Sequence, residues 1–266
     1  IVGGEISSAT QAITFIDTGR EPIIPVRSNI GSLEDANKAS AANANGVGLF
    51  RTELLYLSAT SQPDVASQSA SYAEILAAAP DGPIVVRTID AGSDKPVPFL
   101  HMGEEENPSL GVRGYRLIHE HRSFIEDQLK SLEAARQATG REVWVMAPMI
   151  ATVQEAQDFC DLARSIGKFK VGIMVETPSI SVLVSDLKGI VDFVSIGTND
   201  LSQYLFAADR MNPALGTLLT PWQPGLIRTL ARIADAGKAA GISVGVCGES
   251  ASDPTFAVVL AGLGIT

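Results

Sequence analysis

The sequence predicts an α/β fold, a (β/α)₈ TIM barrel counted one strand and one helix short. Short β-branched or apolar runs alternate with longer segments of helical period, the pattern of βα units around a parallel sheet. Polar side chains collect just after those apolar runs, at the strand ends where barrel active sites are built. The alternation yields seven strands before the chain reaches Gly264, Ile265 and Thr266, whereas a closed barrel of this kind needs eight.

Taken in order, strands are expected at residues 23–28, 46–50, 84–87, 143–146, 172–175, 192–196 and 243–246. Between them the 3.6-residue period predicts helices at 33–45, 71–79, 123–139, 152–166, 180–187 and 225–240, several opened by an N-cap residue or a proline in the first turn. A last helix is expected over 253–263, with Asp253 as N-cap and Pro254 just inside it. Residues 58–71 (SATSQPDVASQSAS) read as a polar, Ser-rich, mobile loop. Residues 1–20 are weakly patterned and read as the remnant of a preceding linker, which leaves 21–266 as the barrel domain.

With 266 residues, 45% hydrophobic and 19% charged, the composition is that of an ordinary globular protein. A formal net charge of −10 argues against nucleic acid or an anionic membrane as the principal partner, since both reward clustered Lys and Arg. The two cysteines, Cys160 and Cys247, imply no disulfide framework, and a reducing cytoplasm is the simpler home. No apolar run approaches the roughly 20 residues of a membrane-spanning helix.

The chemistry lies at the carboxyl ends of the strands. Arg51 follows GVGLF; Arg87 follows IVV, with Asp90 and Lys95 close behind; Glu176 follows GIMV; Asn199 and Asp200 follow VSIG; Cys247 and Glu249 follow the last run. Parallel strands lie about 4.8 Å apart, so carboxylates one βα unit apart, Glu176 and Asp200, can reach a common ion. Two hard oxygen ligands completed by ligand phosphate and water is how Mg²⁺ is usually held. Arginines match phosphate and carboxylate oxygens with a planar fork. The natural occupant is a small, multiply anionic, metal-bound molecule.

Blander readings stand beside this one. Any single Arg or Glu in the set serves equally well as a structural ion pair, and a lone Cys247 is more often a small core residue than a catalyst. His119 and His121, two residues apart on a helix, face different ways and carry no evident chemistry. Met146, Met149 and Trp144 belong to the core, and residues 104–106 form a solvated acidic loop.

Seven stretches, in order, carry a family resemblance: VGLFRTELLYL (47–57), VVRTIDAGSDKP (85–96), EENPSLGVRGYR (105–116), VMAPMI (145–150), VGIMVETPS (171–179), FVSIGTNDLSQYLFAADR (193–210) and VCGES (246–250). The chain resembles, over nearly its whole length, the phosphoenolpyruvate-binding domain of Enzyme I of the bacterial phosphoenolpyruvate:sugar phosphotransferase system. The resemblance implies that Arg51, Arg87, Arg210 and Asn199 contact the phosphate and carboxylate of phosphoenolpyruvate, with Arg113 and Lys95 as further cations. It implies that Glu176 and Asp200 bind Mg²⁺ and that Cys247 protonates the enolate carbon.

It further implies phosphoryl transfer to a histidine on a preceding domain, with release of pyruvate. In such proteins the barrel forms the homodimer, and the phosphocarrier protein docks on that preceding region. The alternative is the equivalent domain of pyruvate phosphate dikinase or phosphoenolpyruvate synthase, which share the RTE, ETP, GTND and CGE motifs; TIDAGSDK favours Enzyme I. A non-catalytic dimerisation scaffold is the reading of another class, and the full set of metal and substrate residues speaks against it.

Overall fold

The computed structural model describes residues 24–57, 59–93, 96–100 and 102–266. Its strands are β1 (Ser28–Ile30), β2 (Val47–Arg51), β3 (Ile84–Arg87), β4 (Val143–Ala147), β5 (Lys170–Val175), β6 (Phe193–Ile196) and β7 (Ser243–Val246). Its helices are α1 (Leu33–Ala41), α2 (Val65–Ala78), α3 (Ile118–Thr139), α4 (Val153–Ile166), α5 (Pro178–Ser181), α6 (Thr198–Leu205), α7 (Pro224–Ala240) and α8 (Pro254–Gly262). The seven strands are parallel and hydrogen-bonded in the order β1 to β7, as the βα alternation requires.

Local chemistry sets the element ends. Ser32 caps α1 by accepting from the Asp35 N–H, and Thr152 with Glu155 forms a complete capping box on α4. Gly140 and Gly241 end α3 and α7 in the left-handed region, at φ 67° and 73°.

Period-two alternation divides the apolar residues into two clusters. Outward residues such as Val86, Val145, Ile173, Val175, Val194, Ile196 and Val244 pack beneath the helices. Inward residues Leu49, Val85, Met146, Met174, Phe193 and Cys247 fill the barrel, with Trp144 against them. Because side chains alternate faces, the residue two positions after an inward apolar one also points inward, now at the rim. Val85 is thus followed by Arg87 and Met174 by Glu176.

The outlines differ from the sequence expectation in several places. A first strand over 23–28 is not found among the described residues; β1 spans Ser28–Ile30, and residue 23 lies outside them. Pro25 has no N–H for a ladder, and the Val26 N–H goes to the Asn45 side chain at 3.0 Å. Half of the expected loop at 58–71 is helical, since α2 starts at Val65. Asp64 caps it at 2.7 Å from the Ser67 N–H, and Ser69 and Ser71 return their hydroxyls to carbonyls one turn back. The serines that suggest a loop form the solvent face of a helix that buries Gln68 and Tyr72.

The expected helix at 180–187 divides into α5 and a short 3₁₀ turn, Val184–Leu187. Helix α6 was not foreseen at all. Trp144 is only half-buried, with Arg27 5.4 Å and the Lys170 ammonium 4.4 Å from its ring centroid. Among the described residues no eighth strand stands between β7 and β1. The Asn29 side chain of β1 instead donates to the Cys247 carbonyl at 2.9 Å, and the Thr266 N–H reaches the Val244 carbonyl at 2.9 Å. The linker expected over residues 1–20 lies outside the described residues.

Candidate active site

Strand register brings the first cations together, for Arg51 and Arg87 are direct partners across β2 and β3. Arg51 is exposed, whereas Arg87 is buried and held by two carboxylates. Its Nη2 lies 2.5 Å from Glu53 Oε1 and its Nη1 3.0 Å from Asp90 Oδ2. Asp90 also holds Arg113, 3.0 Å from Nη2, and Arg113 reaches on to Asp200 at 3.2 Å. The result is a buried chain, Glu53–Arg87–Asp90–Arg113–Asp200, running from β2 to the first turn of α6. Arg113, 1% exposed, is the largest fully buried side chain of the molecule's described part.

Burial alone would lower both guanidinium pKa values. For Arg87 the charges of Asp90, Glu53 and Glu176 more than reverse that, and for Arg113 those of Asp90 and Asp200 do, so both are raised and stay charged. Arg210 extends the chain more loosely, with Nε 3.9 Å from Asp200 Oδ1, and its own N–H is held by Gln203 Oε1 at 2.9 Å.

Glu176 sits just past β5, 1% exposed, and its Oε1 accepts the Met149 N–H at 2.7 Å. Its carboxyl is pushed up to about 8, chiefly by burial and then by the negative charges of Asp200 and Asp90. Gly197 makes room for it: a Cβ there would stand 2.9 Å from both Glu176 Oε2 and Met174 Sδ. Among the described residues no group of three or more His, Cys, Asp or Glu side chains is placed to hold a metal ion unaided.

Cys247 follows β7 with its Sγ 3.6 Å from the Ile196 carbonyl oxygen. Burial pushes the thiol up to about 11, against the lowering effect of the Ser195 hydrogen bond. Asn199 accepts the Glu249 N–H at 3.0 Å, which leaves its Nδ2 to donate elsewhere. Lys95 lies outside the described residues, as does His101. His119 lines an open groove of about 670 Å³ between α3 and α4, away from this cluster.

The structure thus joins Arg87, Arg113, Asp200, Arg210, Glu176 and Cys247 at one end of the barrel. It adds residues to which sequence reasoning gave no role. Glu53 stands beside the predicted Arg51 inside RTE, and Asp90 bridges the two buried arginines. Tyr204 hydrogen-bonds the Ser109 carbonyl oxygen and lies 3.5 Å from Arg113 Nη1. Asp90 also stands among the polar residues that follow β3, whereas the only sequence signal for Glu53 and Tyr204 is membership of the stretches that carry the resemblance; the pairing of Glu53 with Arg87 spans 34 residues.

Fold and site together define an α/β barrel protein with a buried network of arginines and carboxylates at the carboxyl ends of its strands. The chain belongs to the PEP-utilising enzyme family, whose PEP-binding domain matches residues 9–266. It is 46% identical to phosphoenolpyruvate-protein phosphotransferase of Streptomyces coelicolor over 91% of this chain and 44% of that protein. It is 39% identical to the protein of that name from Mycoplasma genitalium, over 98% of this chain and 46% of that one. A multiphosphoryl transfer protein of Rhodobacter capsulatus is 39% identical over 91% of this chain and 30% of its own length. The chain thus spans less than half the length of these relatives.

Among solved structures, an aldolase/citrate lyase family protein from Burkholderia cenocepacia superposes with a TM-score of 0.55 at 17% identity, covering 91% of this chain and 86% of that one. The citrate synthase SbnG does so with a TM-score of 0.54 at 11% identity, covering 91% and 83%. At such identities the likeness concerns the fold alone.

Proposed function

We propose that this chain is the phosphoenolpyruvate-binding part of a phosphoenolpyruvate-protein phosphotransferase, passing the phosphoryl group of phosphoenolpyruvate to a histidine on another domain and leaving pyruvate. The observation that carries this reading is the buried Glu53–Arg87–Asp90–Arg113–Asp200 chain at the barrel rim. That chain holds two guanidiniums, Arg87 and Arg113, fixed and charged at the rim beside the buried carboxyl of Glu176. The names of the relatives support the same activity.

Arg51, Arg87, Arg113 and Arg210 then bind the phosphate and carboxylate oxygens, with Asn199 Nδ2 donating; the resemblance alone adds Lys95 to them. In transfer the bridging P–O bond breaks, the phosphoryl group passes to a ring nitrogen of the acceptor, and the electron pair stays on the enolate oxygen. Charge spreads over the phosphoryl oxygens in a loose transition state, which fixed arginines stabilise without reorganising. The enolate carbon next takes a proton, and the Cys247 thiol, kept protonated at neutral pH by its burial, is the donor. The acceptor histidine is not His119, which lines the outer groove.

Glu176 and Asp200 would hold Mg²⁺. The charges that Asp200 and Asp90 impose on Glu176 fit that role, because a divalent cation there would offset the cost of ionising it. When bound, the ion neutralises phosphate charge and orients the substrate. From the resemblance the reading also takes a homodimer, a phosphocarrier partner reached only through a preceding region, and a cytoplasmic setting. Calorimetric titration with phosphoenolpyruvate, with and without Mg²⁺, tests the central claim: Mg²⁺-dependent binding is expected, and no heat in either condition would sink it.

A further inference from the structure

We propose that Gln128, buried on α3, is a positioning residue that holds the carboxyl ends of β2 and β3, and with them Arg51 and Arg87, in anion-binding register. This rests on the reading of those two arginines as substrate contacts.

The Gln128 side chain is fully buried and used at both ends of its amide. Oε1 accepts the Ile89 N–H at 3.0 Å, two residues past Arg87. Nε2 donates to Thr52 Oγ1 at 3.1 Å and to the Tyr72 hydroxyl at 3.0 Å, with the Tyr56 hydroxyl a weaker third contact at 3.4 Å. Thr52, next to Arg51, in turn donates its hydroxyl hydrogen bond to the Arg87 carbonyl at 2.9 Å. One amide therefore ties together the segments that present both arginines, at the point where the β2–β3 ladder ends.

Either hydroxyl could donate in the Tyr56–Tyr72 bond, and because the one Tyr56 proton goes to Gln68, Tyr72 is the donor. Tyr72 accepts from Gln128 and bonds Tyr56, which donates to Gln68 Oε1 at 2.7 Å, while Gln68 Nε2 donates to the Pro63 carbonyl at 2.9 Å. Burial pushes Tyr56 up to about 12 and raises Tyr72 well above the usual tyrosine range, so both remain neutral hydroxyls. An amide supplies the acceptor for Ile89 and the donors for Thr52 and Tyr72 together. An ionised glutamate has no donor, and methionine satisfies neither side at similar length. The groups left unpaired would be dry, so the strand ends must shift to find water.

The test compares the wild-type chain with Gln128→Met and with Leu132→Ala, a buried residue of the same helix. Two quantities are read: calorimetric affinity for phosphoenolpyruvate with Mg²⁺, and amide exchange at residues 87–89 against 143–147 of β4. Gln128→Met is expected to weaken binding about tenfold, as loss of a group that orients binding residues commonly does, and to speed exchange at 87–89 selectively. Leu132→Ala should lower the thermal midpoint and leave affinity unchanged. Thr52→Val, which removes both the acceptor for Gln128 Nε2 and the bond to the Arg87 carbonyl while leaving the Gln128 contact with Ile89 in place, should act in the same direction and serves if Gln128→Met does not fold. Wild-type affinity with no selective exchange in the folded variant would overturn the proposal. Should the wild-type chain bind no phosphoenolpyruvate while exchange at 87–89 still rises selectively, the strand-end role stands and the functional reading falls.

Discussion

The layer between sheet and helices is filled by large, fully buried side chains such as Phe50, Phe124, Leu129, Phe159 and Leu230. The barrel interior holds a smaller cluster, Leu49, Val85, Met146, Met174, Phe193 and Cys247, capped at the rim by charges instead of more hydrocarbon. Both regions exclude water, but they use that dryness differently. In the outer layer each large side chain contributes roughly 1.5–3 kcal/mol by leaving water, and no polar partner is needed. Inside, the same dryness strengthens every charge–charge contact and penalises any charge left alone. Truncations of apolar side chains in the outer layer, away from the Gln128 cluster, should therefore change stability without changing affinity, and substitutions at the rim should change both.

Removing Asp90 is the most severe way to probe that contrast. Asp90→Ala strips a shared partner from two buried guanidiniums, and a loss of about 3–5 kcal/mol is expected in urea unfolding. A loss under about 1 kcal/mol would mean that Glu53 and Asp200 suffice for both. In the outer layer, Leu230→Ala should cost about 2–4 kcal/mol by the same measurement, while the folded protein binds phosphoenolpyruvate as before. A changed affinity there would break the division between the two regions.

Asp200→Ala should reduce Mg²⁺-dependent affinity by about a hundredfold or more, equivalent to roughly 2.7 kcal/mol. Unchanged affinity would remove Asp200 from the site. Glu176 provides a pH test in chelator-treated protein. Its carboxyl moves from a reference value of 4.5 to about 8 on folding, so its favourable contribution is complete below 4.5 and is lost as pH rises to 8. Wild-type stability should fall over that range relative to Glu176→Gln, and parallel curves would show the carboxyl ionises freely. The smallest effect on the fold belongs to Cys247→Ala, expected to hold affinity within about twofold while slowing pyruvate formation with a phosphohistidine partner supplied. Wild-type turnover would show that the thiol only packs.

Much of this arrangement was legible before any coordinates. Strands over 84–87 and 243–246 and the βα order followed from period and turn residues, because those signals are local. Arg87, Glu176 and Cys247 are expected at the rim because each holds an inward position at or just past the end of its strand, whereas Asp200 lies in the first turn of α6. The first strand misled because its pairing is decided by Asn45 and Gly46, distant in sequence. Helix α2 was half missed because solvent-facing serines resemble a loop until Tyr72 and Gln68 are seen to be buried.

The sequence by itself determined a parallel α/β fold, the face each strand residue takes, and the residue types offered to an anion. These depend on neighbours within a few positions and on the two-residue alternation of a strand. Which carboxylate holds which arginine was decided only in the tertiary structure. Glu53 meets Arg87, Asp90 bridges to Arg113, and Gln128 reaches across 76 residues to Thr52. Those partners are selected by distance in a dry interior, where a buried charge or amide must be satisfied by whatever folding brings within about 3 Å.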